Sequence, residues 1–113
     1  MAEEGRELIT PDIDKRRQRR ARLITEVKCE AMHRDELLVT RDVSVGGLFL
    51  TTKTPLPLDS SVFVAFSLAV GTPAISCNAR VVYSMQGLGM GIQFTDLNEG
   101  ARASLQKFVD EAN

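Results

Sequence analysis

Hydrophobic and polar residues alternate along most of the chain from residue 23 onward. Because neighbouring side chains of a β-strand point to opposite faces, the alternation predicts strands that bury one face. It predicts six strands, at residues 23–31, 37–40, 48–51, 62–68, 75–83 and 90–94, with turns at 33–35, 46–47, 71–73 and 86–87. Six short strands with hairpin-length connections are typical of an antiparallel β-barrel, here over residues 23–95.

The pattern changes to a helical one near the end of the chain. Asn98 is a residue type favoured at helix N-caps, and apolar residues then recur with a spacing of three to four positions. The recurring residues are Leu105, Phe108, Val109 and Ala112. The sequence therefore predicts an all-β fold with one C-terminal helix, residues 98–112, laid against a six-stranded antiparallel β-barrel.

The first 22 residues differ in composition from the rest. Residues 1–14 contain Pro11 and several acidic residues but little apolar surface, which predicts a flexible N-terminal tail. Residues 15–22 hold six cations and no acid, and form a basic arm at the start of a single domain that spans 15–113. Residues 23–113 carry seven Lys or Arg against ten Asp or Glu. The positive charge is therefore concentrated in the arm, where it favours an anionic ligand.

Composition and the scarcity of reactive residues exclude several classes of protein. The chain has 113 residues, 43% of them hydrophobic, which suits one ordinary domain. Its longest nearly apolar stretch, residues 62–70, is too short to span a membrane, and the N-terminus lacks a secretory signal, so we expect a cytoplasmic protein. His33 is the only histidine, while Cys29 and Cys77 lie at core positions of predicted strands. We therefore expect no enzymatic activity, no metal and no cofactor.

Two short motifs stand out from the barrel pattern. Arg16 and Arg20 form an R-x-x-x-R motif in the basic arm, and Asp42, Ser44 and Gly47 form a D-x-S-x-x-G motif between two predicted strands. In this order, and followed by a barrel and a C-terminal helix, the motifs resemble those of the PilZ domain family. The segment Gly89-Met90-Gly91-Ile92-Gln93-Phe94 is similar to the closing strand of that family, and the resemblance covers about residues 15–110.

The resemblance implies a receptor for cyclic di-GMP. By analogy with the family, Arg16 and Arg20 contact guanine edges and phosphates, and Arg17 assists them. Arginine suits this task because its guanidinium forks onto the O6 and N7 acceptors of guanine. Asp42 would accept hydrogen bonds from guanine, and Ser44 would offer a hydroxyl. Gly46 and Gly47 would permit a positive φ and let a flat base approach the backbone.

The resemblance also implies a mode of action. Mutual repulsion predicts that residues 15–22 are mobile without ligand and become ordered across the barrel when cyclic di-GMP binds. The ordered arm would then signal to an unidentified downstream protein. Two alternatives stay open: a degenerate PilZ-like interaction module without ligand, and a basic arm that binds polyanions or nucleic acid. The acidic body and an aromatic content of 5% speak against nucleic acid as a partner. The sequence leaves open whether Arg19 or Arg22 contacts the ligand, and whether one or two nucleotides bind.

Overall fold

Six strands and one helix make up the fold in the computed structural model, which describes residues 19–112. The strands are β1 (Ala21–Ala31), β2 (Arg34–Val43), β3 (Gly47–Thr51), β4 (Ser61–Phe66), β5 (Ile75–Met85) and β6 (Gly89–Phe94), and the helix is α1 (Glu99–Ala112). Every strand pairing is antiparallel, and the order β1-β2-β3-β6-β5-β4 closes on itself. The prediction of a six-stranded antiparallel barrel with one C-terminal helix is confirmed.

The first hairpin has a longer second strand and a shorter turn than the alternation predicts. Its turn consists of Met32 and His33 rather than residues 33–35, and β2 already begins at Arg34. The Arg34 guanidinium donates to Glu36 Oε2 at 2.7 Å and to the carbonyl oxygen of Thr54 at 2.7 Å. These bonds give a charged residue, which the sequence places in a turn, a fixed place at the start of a strand.

Strand β1 begins at Ala21, earlier than the predicted residue 23. Its first residues pair with the end of β2, as Ala21 lies opposite Val43 and Arg22 opposite Asp42. Ala21 is buried in the barrel. Two residues assigned by sequence to a mobile arm are therefore part of the barrel wall, because a paired strand extends for as long as its neighbour offers hydrogen bonds.

The barrel interior is filled mainly by aliphatic side chains, with Phe66, Met90 and the two cysteines among them. Cys29 lies opposite Val64, which in turn lies opposite Cys77, so the cysteines are separated by two interstrand spacings, about 10 Å. A disulfide needs α-carbons within about 7 Å, so these thiols cannot bridge. Burial raises the pKa of both thiols to about 11. Both cysteines are therefore protonated core residues at neutral pH, as the sequence predicts.

Helix α1 is anchored at its start and along one face. The Asn98 side chain accepts a hydrogen bond from the Ala101 amide at 2.7 Å, which confirms it as the N-cap. Leu105 and Val109 are buried, whereas Ala112 is exposed at the last turn. No helix within residues 19–112 has the length and apolarity that crossing a bilayer requires.

The segment between β6 and α1 is held to β5 by hydrogen bonds to the Asp96 carboxylate. The backbone amide and the side-chain amide of Asn78 each donate to Asp96 at 2.7 Å. These hydrogen bonds favour the ionised carboxylate and hold the pKa of Asp96 below its ordinary value. They fix the point at which the chain leaves the barrel for the helix.

Candidate functional site

The start of β1 and the end of β2 bring the two sequence motifs together. Arg20 directly precedes β1, and Asp42 is the next-to-last residue of β2. The Arg20 Nε donates to Asp42 Oδ1 at 3.0 Å, and Nη2 donates to the same oxygen. Both side chains are partly exposed, at 32% for Arg20 and 41% for Asp42. An arginine of the first motif and the acid of the second thus form one ion pair that is open to solvent.

Of the basic arm, residues 19–22 are described, whereas Arg16 and Arg17 lie outside the described residues. Arg19 forms an ion pair with Asp110 of α1 at 3.7 Å. Arg20 is held by Asp42, and Arg22 belongs to β1. The structure thus places residues 20–22 against the barrel. That the arm is mobile without ligand and becomes ordered when ligand binds stays a prediction.

A surface depression of about 310 Å³ lies beside the ion pair. Its lining residues are Arg22, Ile24, Arg41 and Asp42. No acid among residues 19–112 pairs with Arg22 or Arg41, so both guanidinium groups are free to bind an anion. The exposed aliphatic side chain of Ile24 adds an apolar surface. An anion with a flat apolar part fits this combination of groups.

Sequence reasoning missed Arg41. It precedes Asp42 in a strand where side chains alternate between core and solvent, and it lies on the exposed side. The D-x-S-x-x-G motif begins one residue later, so the motif draws no attention to it. In a regular strand the alternation would place Arg41 and Asp42 on opposite faces. The pairing of β2 with β3 is irregular between Thr40 and Val43, and both residues line the depression.

Ser44 is enclosed within the loop that joins β2 to β3. Its side chain is buried, and its Oγ accepts hydrogen bonds from the amides of Gly46 and Gly47, each at 3.2 Å. The Ser44 amide donates to the carbonyl oxygen of Gly47 at 2.8 Å. The hydroxyl therefore holds the loop in shape behind Asp42. A direct contact between Ser44 and a ligand remains a prediction.

The two glycines have a structural role other than the one predicted. Positive φ values occur at Gly71 and Gly87, not at Gly46 or Gly47, so the expected left-handed backbone is wrong for this loop. A Cβ on Gly47 would lie 1.9 Å from the carbonyl oxygen of Ile92 in β6. Gly47 is thus required by the close approach of β3 and β6.

Replacing Ser44 by alanine should destabilise the fold as well as the site. The substitution leaves the buried amide of Gly47 and the partly buried amide of Gly46 without the Ser44 oxygen as acceptor, which costs about 1–3 kcal/mol. Chemical denaturation should show this loss for Ser44→Ala and no change for Ser76→Ala, an exposed serine of β5. Equal stability of the two variants would contradict the structural role of the Ser44 hydroxyl.

Two solved structures share this fold at low sequence identity. The first is the Bacillus subtilis inhibitor of motility, MotI/DgrA, with a TM-score of 0.75 and 14% identity over 83% of this chain and 49% of that chain. The chain thus spans about half the length of MotI/DgrA. The second is the PilZ domain of CeSA from a cellulose-synthesizing bacterium, with a TM-score of 0.58 and 20% identity over 81% of this chain and 95% of that chain. No curated protein matches the sequence.

The family assignment rests on the sequence as well as on the fold. The PilZ domain model matches residues 14–111, which include the R-x-x-x-R motif of the arm and the complete D-x-S-x-x-G motif. The structure of residues 19–112 brings Arg20 and Asp42, one residue from each motif, into direct contact. This chain belongs to the PilZ domain family.

Proposed function

We propose that the chain is a cyclic di-GMP receptor that acts as an adaptor toward a protein partner. The observation that carries this proposal is the Arg20–Asp42 ion pair beside a depression lined by Arg22 and Arg41. Three arginines surround one carboxylate at this place, which leaves a net positive site on a chain whose formal net charge is −1. A compact dianion is attracted to such a site.

The chemistry of cyclic di-GMP suits these side chains. Its two phosphodiester groups bind guanidinium donors, and the O6 and N7 atoms of guanine accept a bidentate fork from arginine. The Asp42 carboxylate is an acceptor for the N1–H and N2–H₂ donors of guanine. An adenine edge presents a donor where guanine presents O6, so the same site discriminates against cyclic di-AMP.

The ion pair favours binding of cyclic di-GMP because it holds the Arg20 side chain beside the proposed ligand site. A long side chain loses rotamer freedom when it binds, and part of that entropic cost is already met by the contact with Asp42. Ligand binding then exchanges one partner of Arg20 for another, or adds a second. Ser44 and Gly47 support the site indirectly, because they fix the loop that follows Asp42.

Isothermal titration calorimetry with cyclic di-GMP, cyclic di-AMP, GMP and a short DNA duplex tests the proposal. We expect cyclic di-GMP to bind in the micromolar range or tighter, and each of the others at least about 10-fold more weakly, as expected when a bidentate base contact is lost. The stoichiometry distinguishes one nucleotide from a stacked pair. Binding of cyclic di-AMP or DNA as tight as that of cyclic di-GMP would instead indicate a generic anion site.

The role as an adaptor is tested separately. PilZ domains interact with protein partners, and MotI/DgrA is named as an inhibitor of motility. For this chain we propose that the partner recognises the surface around the ligand site. Its affinity for a purified partner should therefore rise on addition of cyclic di-GMP and stay constant in an Arg20→Ala variant. An unchanged affinity in the wild type would contradict coupling between ligand and partner.

A further inference from the structure

The outer face of β1 and β2 exposes large aliphatic side chains at the middle of paired strands. Leu37 is 65% exposed and Val39 is 41% exposed, and both point away from the barrel interior. Both lie within β2 rather than in a turn or loop. Together they form a small apolar patch on the outer face of the sheet.

Charged residues are arranged around this patch in a regular order. Along β2 the outward residues are Asp35, Leu37, Val39 and Arg41, so the two aliphatic residues lie between an acid and a base. On β1 the residue beside Leu37 is Lys28, and the residue beside Val39 is Glu26. The face is therefore acidic at one end of β2 and basic at the other. The outward residues of β1 are Arg22, Ile24, Glu26, Lys28 and Glu30, and Lys28 forms an ion pair with Glu30 of the same chain at 3.4 Å.

We propose that this face binds a second copy of the chain in a two-fold symmetric, face-to-face dimer. The symmetry axis lies parallel to the sheet, at right angles to β2, and passes midway between Leu37 and Val39. A contact of this kind is isologous, so that each residue meets the symmetry-related position of its counterpart. Leu37 of one copy then packs on Val39 of the other, and the aliphatic patch is covered.

The charges favour this arrangement and this occupant. The same axis places Asp35 opposite Arg41 of the second copy on β2, and Lys28 opposite Glu26 of the second copy on β1. Each of these contacts occurs twice in the dimer. An axis parallel to β2 would instead place Asp35 opposite Asp35 and Arg41 opposite Arg41 of the second copy. A surface complementary to itself in both its aliphatic and its charged positions fits a second copy better than an unrelated partner.

The extent of the patch indicates how tight the dimer is. Stable interfaces contain about 20–30 residues on each side, whereas the aliphatic centre of this face consists of Leu37 and Val39 with Ile24 at its margin. We therefore expect a reversible dimer that dissociates on dilution. The dimer face shares Arg41 and Ile24 with the proposed nucleotide site, so dimer formation and nucleotide binding compete for these residues. The test of the dimer is carried out without nucleotide, so its outcome does not depend on whether the nucleotide binds.

Sedimentation equilibrium of the full chain, from low micromolar to several hundred micromolar protein, tests for the dimer. The mass of the wild type should rise with concentration from that of the 12.4 kDa chain toward twice that value. Val39→Asp should remain monomeric throughout, whereas Val70→Asp, a fully exposed valine in the β4–β5 turn, should behave as wild type. A monomeric wild type, or a Val39→Asp variant that associates as the wild type does, overturns the proposal.

A charge exchange tests the predicted pairing itself. Glu26→Lys places two lysines opposite each other at both symmetric contacts, and Lys28→Glu places two glutamates opposite each other, so each variant alone should be monomeric. An equimolar mixture should associate again, because each contact in the mixed dimer joins a lysine to a glutamate. Both residues are exposed, and thermal unfolding confirms that the variants fold. A mixture that stays monomeric, while both variants are folded, overturns the proposed two-fold pairing.

Discussion

Replacing Arg20 by alanine should weaken cyclic di-GMP binding on the order of 100-fold, the equivalent of about 3 kcal/mol, which is typical for truncation of one partner in a desolvated charged contact. The variant loses the guanidinium that links the two motifs. It also leaves Asp42 without its counter-cation next to an anionic ligand, so that repulsion replaces attraction. Titration calorimetry of the purified variant measures the effect.

Two control variants test whether the loss of affinity is specific to the guanidinium of Arg20. Arg102→Ala removes an exposed arginine of α1 and should bind as the wild type does. Arg20→Lys keeps the positive charge but loses the planar fork, and should recover only a small part of the affinity. Near wild-type affinity in Arg20→Lys would mean that the site recognises charge alone. Folding should change little in either Arg20 variant, since a partly exposed ion pair contributes at most about 1 kcal/mol.

Most strands of the barrel can be predicted from the alternation of apolar and polar residues. Strand β5 alternates buried and exposed side chains from Ile75 to Val82, and that period of two specifies both the strand and its inward face. The differences arise at strand ends. Ala21 and Arg22 continue β1 because the end of β2 lies beside them, and a partner distant in sequence leaves no mark on the local pattern.

The candidate site was predicted less completely, and for a different reason. The contact between Arg20 and Asp42 joins residues that the motifs already mark, and the described structure brings them together. Arg41 lies outside both motifs, so only the three-dimensional adjacency of β1 and β2 assigns it to the depression. A short motif also fails to distinguish residues that face a ligand from residues that shape the loop behind it.

Gly47 is the clearest example of a motif residue that acts through the backbone. It lies opposite Gln93 in the β3–β6 pairing, and Gly46 accepts a hydrogen bond from the Phe94 amide at 2.9 Å. Both glycines thus attach the Asp42 loop to β6. The loop keeps its position only while β3 and β6 stay at their present distance, so the geometry of the site depends on the absence of a side chain at residue 47.

Gly47→Ala should therefore reduce both stability and ligand binding. The added Cβ would lie 1.9 Å from the carbonyl oxygen of Ile92, and a backbone atom within a paired strand cannot rotate away as a side chain can. Relief of this clash requires separation of β3 from β6, and we expect a loss of about 3 kcal/mol in the free energy of unfolding, at the upper end of the usual cost of overpacking.

Gly100→Ala is the matched control, because its Cβ would meet the Asn98 side chain at an ordinary 3.5 Å and alanine favours a helix. Denaturant unfolding should leave the Gly100→Ala variant unchanged or slightly more stable. If Gly47→Ala unfolds at the same denaturant concentration as this control, the close approach of β3 and β6 does not constrain residue 47, and the glycine of the motif must instead act at the ligand.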